Sequence, residues 1–271
     1  MNILDQIIEH KKKEVARRRE LYPVKLLEQS IYFETPVVSM KKYLLRPDKS
    51  GIIAEFKRRS PSKGDINPYA SVEKVTIGYM QAGASGLSVL TDEQFFGGSK
   101  ADLTEARKFN FCPILRKDFI IDEYQLFEAK SIGADAVLLI AECLDKGQLR
   151  ALALRAKDLG LEVLMEVHSA PQLEKFNEYI DMVGVNNRNL EDFTVSIKTS
   201  MELYDAIPDE VVKISESGIS DPNAIVELRR IGYRGFLIGE FFMASSDPGK
   251  TCQTFIQRVR HIEEILHNAI A

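Results

Sequence analysis

The chain has 271 residues, 45% of them hydrophobic, enough to bury a sizeable core as one large domain or two small ones. A formal net charge of −4 gives no global case for nucleic acid or a membrane surface as partner. Cys112, Cys143 and Cys252 are odd in number, widely spaced and without a CxxC, which points to reduced thiols in a cytoplasmic protein without disulfides or structural zinc. His10, His168, His261 and His267 do not cluster at ligand spacing, so no metal is expected. No apolar run approaches the roughly 20 residues that cross a bilayer. The N-terminus places apolar residues before charge, the reverse of a secretory signal.

Residues 2–21 read as one helix. Ile3, Leu4, Ile7 and Ile8 form its apolar face, and Lys11-Lys12-Lys13 with Arg17-Arg18-Arg19 load the rest with charge, expected to be a solvated face on a helix docked to the main body. Residues 22–47 read as irregular, with a short helix near 38–44. From Gly51 onward apolar runs suited to buried strands recur at 51–56, 86–90, 112–115, 136–140, 162–165, 182–185, 211–214 and 235–238, with helix-periodic segments between them. Asp221-Pro222 and Asp247-Pro248 read as helix starts, and Ser169 with Gln172 and Asp122 with Gln125 fit capping-box spacing. Gly83, Gly133, Gly160 and Gly232 fall where helices must end. Eight such repeats predict an α/β fold, a closed (β/α)8 TIM barrel at residues 48–271 with an N-terminal helical extension at 1–47, one domain overall. No GxGxxG follows the first strand, which argues against an open doubly wound sheet.

In this fold the C-terminal strand ends build the active site. Read in order, they supply Glu55 and Lys57; Thr91 and Asp92; Arg116, Lys117 and Asp118; Glu142; Glu166; Asn186, Asn187 and Arg188; Glu216 and Ser217; Gly239 and Glu240. Glu55 and Lys57 alternate on one strand and share a face, as either a salt bridge or an acid–base pair. Buried charges cost several kcal/mol unless paired, so a ring of them at one mouth favours a catalytic site over a structural plug. Ser217-Gly218-Ile219 and Gly239 lie after the seventh and eighth strands, where this fold commonly holds phosphate on backbone N–H groups, and Ser60 offers a hydroxyl from the first loop. The loop 57–68, with Gly64 and two prolines, suits a lid. His168 is expected to be a loop residue without a catalytic role, and Arg58 and Arg59 solvated loop charges.

The segments Ala54-Glu55-Phe56-Lys57-Arg58-Arg59-Ser60-Pro61-Ser62, Leu90-Thr91-Asp92-Glu93-Gln94-Phe95-Phe96-Gly97-Gly98 and Pro113-Ile114-Leu115-Arg116-Lys117-Asp118-Phe119-Ile120 resemble those of the indole-3-glycerol phosphate synthase family. So do Glu166-Val167-His168, Gly184-Val185-Asn186-Asn187-Arg188-Asn189-Leu190, Ser215-Glu216-Ser217-Gly218-Ile219 and Leu237-Ile238-Gly239-Glu240, in order along nearly the whole chain. The resemblance implies a cofactor-free lyase of tryptophan biosynthesis. It would close 1-(2-carboxyphenylamino)-1-deoxyribulose 5-phosphate to indole-3-glycerol phosphate with loss of CO2 and water. It implies Lys117 as the acid at the carbonyl oxygen, with a pKa lowered by neighbouring cations or desolvation. It further implies Glu166 as base, Lys57 as holder of the substrate carboxylate and a second acid, and Glu55 as the group that orients the lysines. Asn186 and Glu216 would position hydroxyl and amine groups, Arg188 would help position the substrate, and Phe96 and Phe119 would wall the anthranilate ring. Ser60, Ser217, Gly218, Gly239 and Glu240 would form the phosphate end.

Each role has a plainer rival: Lys57 neutralising Glu55, Glu166 pairing with Arg188, Phe96 and Phe119 as ordinary core. The partner expected is a small phosphorylated substrate, with neither nucleic acid nor membrane, on a monomer or weak homo-oligomer. Two alternative readings stand beside the synthase. One is another phosphate-binding barrel enzyme such as phosphoribosylanthranilate isomerase, which would be expected to carry a cysteine or aspartate pair at early strand ends. The other is a non-catalytic barrel scaffold using the basic N-terminal helix as its contact surface.

Overall fold

In the computed structural model, which describes residues 2–189 and 194–270, the apolar runs become parallel strands closed into a barrel. They are β1 (Ile52–Phe56), β2 (Gly86–Leu90), β3 (Ile114–Lys117), β4 (Ala136–Ile140), β5 (Glu162–Val167), β6 (Met182–Asn186), β7 (Val212–Glu216) and β8 (Gly235–Ile238). Each pairs with the next, and β1 closes the ring on β8 through Ala54 opposite Ile238. Met1, Leu190 and Ala271, which belong to stretches the sequence reading used, lie outside the described residues.

Strand alternation sorts side chains into two cores. Ile53, Leu115, Leu138, Leu164, Met182, Val212, Ile214 and Leu237 form one buried cluster inside the barrel. Their neighbours Ile52, Ala54, Phe56, Val137, Val163, Val183 and Phe236 pack outward with the helices in a second, larger cluster. A period of two therefore fixes which residues look down the axis. The inward column is apolar low in the barrel and becomes polar at the C-terminal ends, where Glu55, Lys117, Glu166, Asn186 and Glu216 continue it.

Most boundaries follow the sequence reading, and the departures have causes. The third strand starts at Ile114 and not at Cys112, because Pro113 has no N–H for a ladder; its carbonyl instead accepts from Leu87 N at 3.0 Å. The capping box expected at Ser169 does not form, and the segment Ala170–Lys175 is a 3₁₀ turn. Gln172 is occupied elsewhere: its Oε1 accepts from His168 N at 2.7 Å and its amide donates to Glu142. At Asp122 only the return half of the box is present, with Gln125 Oε1 accepting from Asp122 N at 3.2 Å. Asp221 does cap the helix Pro222–Ile231, and Gly83, Gly133, Gly160 and Gly232 all adopt positive φ.

The segment before the barrel covers both of its ends. Helix α1 (Ile3–Leu21) starts in a capping box between Asn2 and Asp5 and buries Ile7, Lys11 and Val15. The solvated face expected there holds for Lys12, Lys13 and Arg17 but not for Lys11, which is fully buried. At the opposite end the short helix Met40–Leu44 inserts Met40 and Leu44 into the inner cluster. Glu162, at the start of β5, fixes this plug by accepting from Ser39 Oγ and from Lys41 N. No described helix is long and apolar enough to cross a membrane.

Candidate active site

The polar residues gather at the C-terminal strand ends. Glu55 lies opposite Ser88, Leu90 opposite Lys117, Glu166 opposite Gly184, and Asn186 opposite Glu216. Lys117 Nζ lies 2.6 Å from Glu216 Oε2 and 3.1 Å from Glu166 Oε2. Asn186 Nδ2 donates to Glu166 Oε1 at 3.1 Å, fixing that carboxylate from its other side. Across the mouth Lys57 Nζ sits 3.2 Å from Glu55 Oε1, while Ser88 Oγ donates to Glu55 Oε2 at 3.0 Å. Glu55, Lys57, Lys117, Glu166, Asn186 and Glu216 line one cavity of about 630 Å³, within the size range of small-molecule sites.

Electrostatics separate the members of this ring. Burial disfavours the Lys117 ammonium, but the carboxylates of Glu216, Glu166 and Glu55 outweigh it and hold its pKa above the ordinary lysine value. The lowering expected from sequence is therefore reversed: the neighbours that matter are anions, and they favour the charged ammonium of Lys117. Glu216 is shifted the other way. Burial, with further push from Glu166 and Glu55, outweighs Lys117 and raises its carboxyl to about 7. Its Oε1 has no hydrogen-bond partner and points at Gly184, where a Cβ would sit 2.0 Å from it. Glycine at 184 is thus what lets a buried carboxylate reach Lys117.

Beneath the ring lies a second set of charges that sequence reasoning grouped with the mouth. Arg116 reaches outward, 3.0 Å from Asp118 Oδ2 and 3.3 Å from Glu128 Oε2, and donates to Thr91 Oγ1 and Gln125 O. Lys11 descends from α1 to lie 2.8 Å from Glu14, 2.9 Å from Asp92 and 3.0 Å from Asp118. Burial alone would raise the Asp118 carboxyl, but Lys11 and Arg116 hold it well below the usual range. Thr91, Asp92, Arg116 and Asp118 therefore brace Lys117 from behind. Glu142 pairs with Gln172, and His168 Nδ1 lies 3.0 Å from Asn186 O, so neither joins the ring. Arg58 is not the free loop charge expected, since it pairs with Asp102 and covers the Phe56 ring, whereas Arg59 is exposed.

The far end of the cavity is lined by Ser60, Arg188, Ser217, Gly218, Gly239 and Glu240. Ser217 and Gly218 are both left-handed, at φ 69° and 71°. For serine this conformation costs roughly 1–2 kcal/mol, and Asn187 Nδ2 holds it by donating to Ser217 O at 3.1 Å. Gly239 precedes the short helix Glu240–Met243, whose first N–H groups have no intrahelical acceptor. Arg188 pairs with Glu240 at 3.1 Å and not with Glu166. The apolar wall contains Phe96 and Phe119, ring centroids 5.9 Å apart, joined by Leu138 and Ile140.

Helix α1 supplies Ile3, Leu4 and Ile7 to the same cavity, so part of the apolar face read from the sequence lies across the barrel mouth. A signal for Lys11 was present, because it continues the buried Ile7–Val15 stripe at four-residue spacing, and a cation in such a stripe needs a buried partner.

The family model for indole-3-glycerol phosphate synthase matches residues 4–255. Indole-3-glycerol phosphate synthase of Bacteroides thetaiotaomicron is 50% identical over 259 residues, covering 96% of this chain and 99% of that protein. The protein of the same name from Laribacter hongkongensis is 40% identical over 253 residues, covering 92% and 96%. Among solved structures, 3-hexulose-6-phosphate synthase from Salmonella typhimurium superposes with a TM-score of 0.62 at 13% identity, over 78% of this chain and 98% of that one, a likeness of fold alone.

Proposed function

The chain belongs to the indole-3-glycerol phosphate synthase family, and we propose that its barrel mouth closes 1-(2-carboxyphenylamino)-1-deoxyribulose 5-phosphate to indole-3-glycerol phosphate, CO2 and water. The observation that carries this reading is the Lys117 ammonium held between Glu166 and Glu216 beside an apolar wall. Ring closure forms a bond between the carboxylate-bearing ring carbon and the ribulose carbonyl carbon. The carbonyl oxygen then needs a proton, and Lys117, kept charged by its carboxylates, supplies it. CO2 leaves with the carbon–carboxyl bond, returning its electron pair to the ring. Loss of the new hydroxyl as water needs a second proton on that oxygen and a base for the ring-nitrogen proton; the methylene carbon beside the nitrogen then loses a proton and the nitrogen regains one, which leaves the aromatic indole.

Glu166 takes the base role, because Asn186 and Lys117 fix both of its oxygens at the mouth. Lys57 holds the substrate carboxylate until decarboxylation and is the second acid, with Glu55 fixing its position. Glu216 positions Lys117. Phe96, Phe119 and α1 exclude water from the anthranilate ring, which strengthens every charge interaction inside. Phosphate lies at the far end, against the backbone of Ser217, Gly218 and Gly239 with Ser60 beside it.

We place a small phosphorylated substrate in this site, on a monomer or weak homo-oligomer acting in the cytoplasm. Residues 1–47 serve as an extension of one barrel domain, since their helices close its two ends. The early strand ends carry Glu55, Lys57 and Lys117 to the cavity, and among its described lining residues there is one aspartate, Asp118, and no cysteine, which argues against the isomerase reading.

The test is to mix the carboxyphenylamino-deoxyribulose phosphate with purified, metal-free protein and follow indole fluorescence. Indole product with wild type and none with Lys117→Met is the expected pair of results. No product from wild type would overturn the function, and full activity in Lys117→Met would overturn the mechanism.

A further inference from the structure

One group at the phosphate end has the wrong sign for its place. Glu240 lines the cavity beside Gly218 and Gly239, where an incoming phosphate would meet its carboxylate. That carboxylate is engaged by two cations from two other loops. Arg188 Nη2, after β6, lies 3.1 Å from Oε2, and Lys63 Nζ, from the loop after β1, lies 3.8 Å from Oε1. Ser62 Oγ, on the same β1 loop, is 3.5 Å from Arg188 Nη1, so loop, arginine and carboxylate form one assembly.

We propose that Glu240 is a displaceable internal counter-ion, which holds Arg188 and Lys63 in the free enzyme and gives both up to the phosphate of the bound substrate. Exposure separates this assembly from the catalytic ring. The carboxylates paired with Lys117 are 1% and 7% exposed, and stripping a partner from such a buried pair is costly. Glu240 is 34% exposed, Arg188 19% and Lys63 58%, so water screens their attraction and partner exchange is cheap. A phosphate carries nearly twice the charge of a carboxylate and offers three oxygens, one of which accepts from each cation while others face backbone N–H groups. Glu240 keeps Arg188 in the cavity lining when the cavity is empty and holds Lys63 beside it. It also lowers their net attraction for anions, so that a ligand must satisfy the glycine turns as well as the cations. Because Lys63 rides on the loop 57–68, its transfer to phosphate would draw that loop over the bound substrate.

This inference rests on the placement of phosphate at Ser217–Gly218 and Gly239, so the experiment separates the two. The inhibition constant of orthophosphate against the carboxyphenylamino-deoxyribulose phosphate is measured for wild type, Glu240→Gln, Glu240→Ala and Gly218→Val at fixed low ionic strength. With Glu240 as competing anion, both Glu240 variants bind orthophosphate at least threefold more tightly and lower KM for the substrate, while Gly218→Val weakens orthophosphate. If Gly218→Val weakens orthophosphate but the Glu240 variants leave it unchanged or weaken it too, the phosphate site stands and the counter-ion role is overturned. If Gly218→Val has no effect, phosphate binds elsewhere and both readings fall.

Discussion

Removing the buried cation of α1 is the sharpest test of how the extension is held. Lys11→Met keeps the length and apolar stem of the side chain but deletes an ammonium that faces three carboxylates within 3.0 Å. Asp118 retains Arg116 and Thr91, and Glu14 retains Lys100 at 3.0 Å. Asp92 retains the N–H groups of Phe95 and Phe96 on Oδ1, and its Oδ2 loses the one ion-pair partner it has among the described residues. A fully buried, half-satisfied carboxylate is then left without its cation, at about 3–5 kcal/mol for a broken buried pair. At roughly 2–4 °C per kcal/mol for a chain of this size, Tm should fall by roughly 6–20 °C.

Thermal unfolding followed by circular dichroism at pH 7 and one scan rate measures this. Adding Asp92→Asn to Lys11→Met should recover part of the loss, because the orphaned charge is then gone. The pH dependence has a fixed sign. Asp118 is depressed in the folded protein, so its contribution is present above its unfolded value of 3.8 and is lost as pH falls toward its folded one. The gap between wild type and variant should therefore narrow below about pH 4. A Tm loss under 3 °C at pH 7, or no recovery in the double variant, would refute the buried-latch reasoning.

Three further outcomes test the ring. Glu166→Gln removes a base at nearly constant volume, so kcat should fall by about 10²–10⁴-fold with KM within threefold; an unchanged kcat removes Glu166 from the mechanism. Glu216, raised to about 7, is neutral below that pH and then holds Lys117 less firmly, so log kcat/KM should break downward near pH 7 on the acid side. Glu216→Gln should abolish that break, and its persistence would assign the ionisation elsewhere. Gly184→Ala puts a methyl 2.0 Å from Glu216 Oε1, which displaces the carboxylate from Lys117 and should lower kcat by about 100-fold while the barrel still folds. A kcat within twofold of wild type would show that Glu216 does not need its present position.

The barrel was legible because its signal is local and repeated. Strand runs, capping aspartates such as Asp221, and glycines ending helices each depend on neighbours a few residues away. The ring was legible for a related reason: in this fold every second residue at a strand's C-terminal end faces the mouth whatever its partners are. Glu55 with Lys57 needed only the period of two. Boundaries slipped where a single backbone group decided, as with Pro113 at the third strand and Gln172 at the missing cap.

What the sequence by itself determined, then, is the alternation that builds the barrel and the set of ionisable groups delivered to one end of it. Which of those groups face one another was decided only by closure, because contacts such as Lys117 with Glu216 join strands 99 residues apart. Pairing in turn decided charge state: a lysine expected to be depressed is raised, since the barrel surrounds it with carboxylates and not cations. The same holds for Lys11, one of three consecutive lysines in the chain. The folded helix turns two of them to water and buries the third against Asp92 and Asp118.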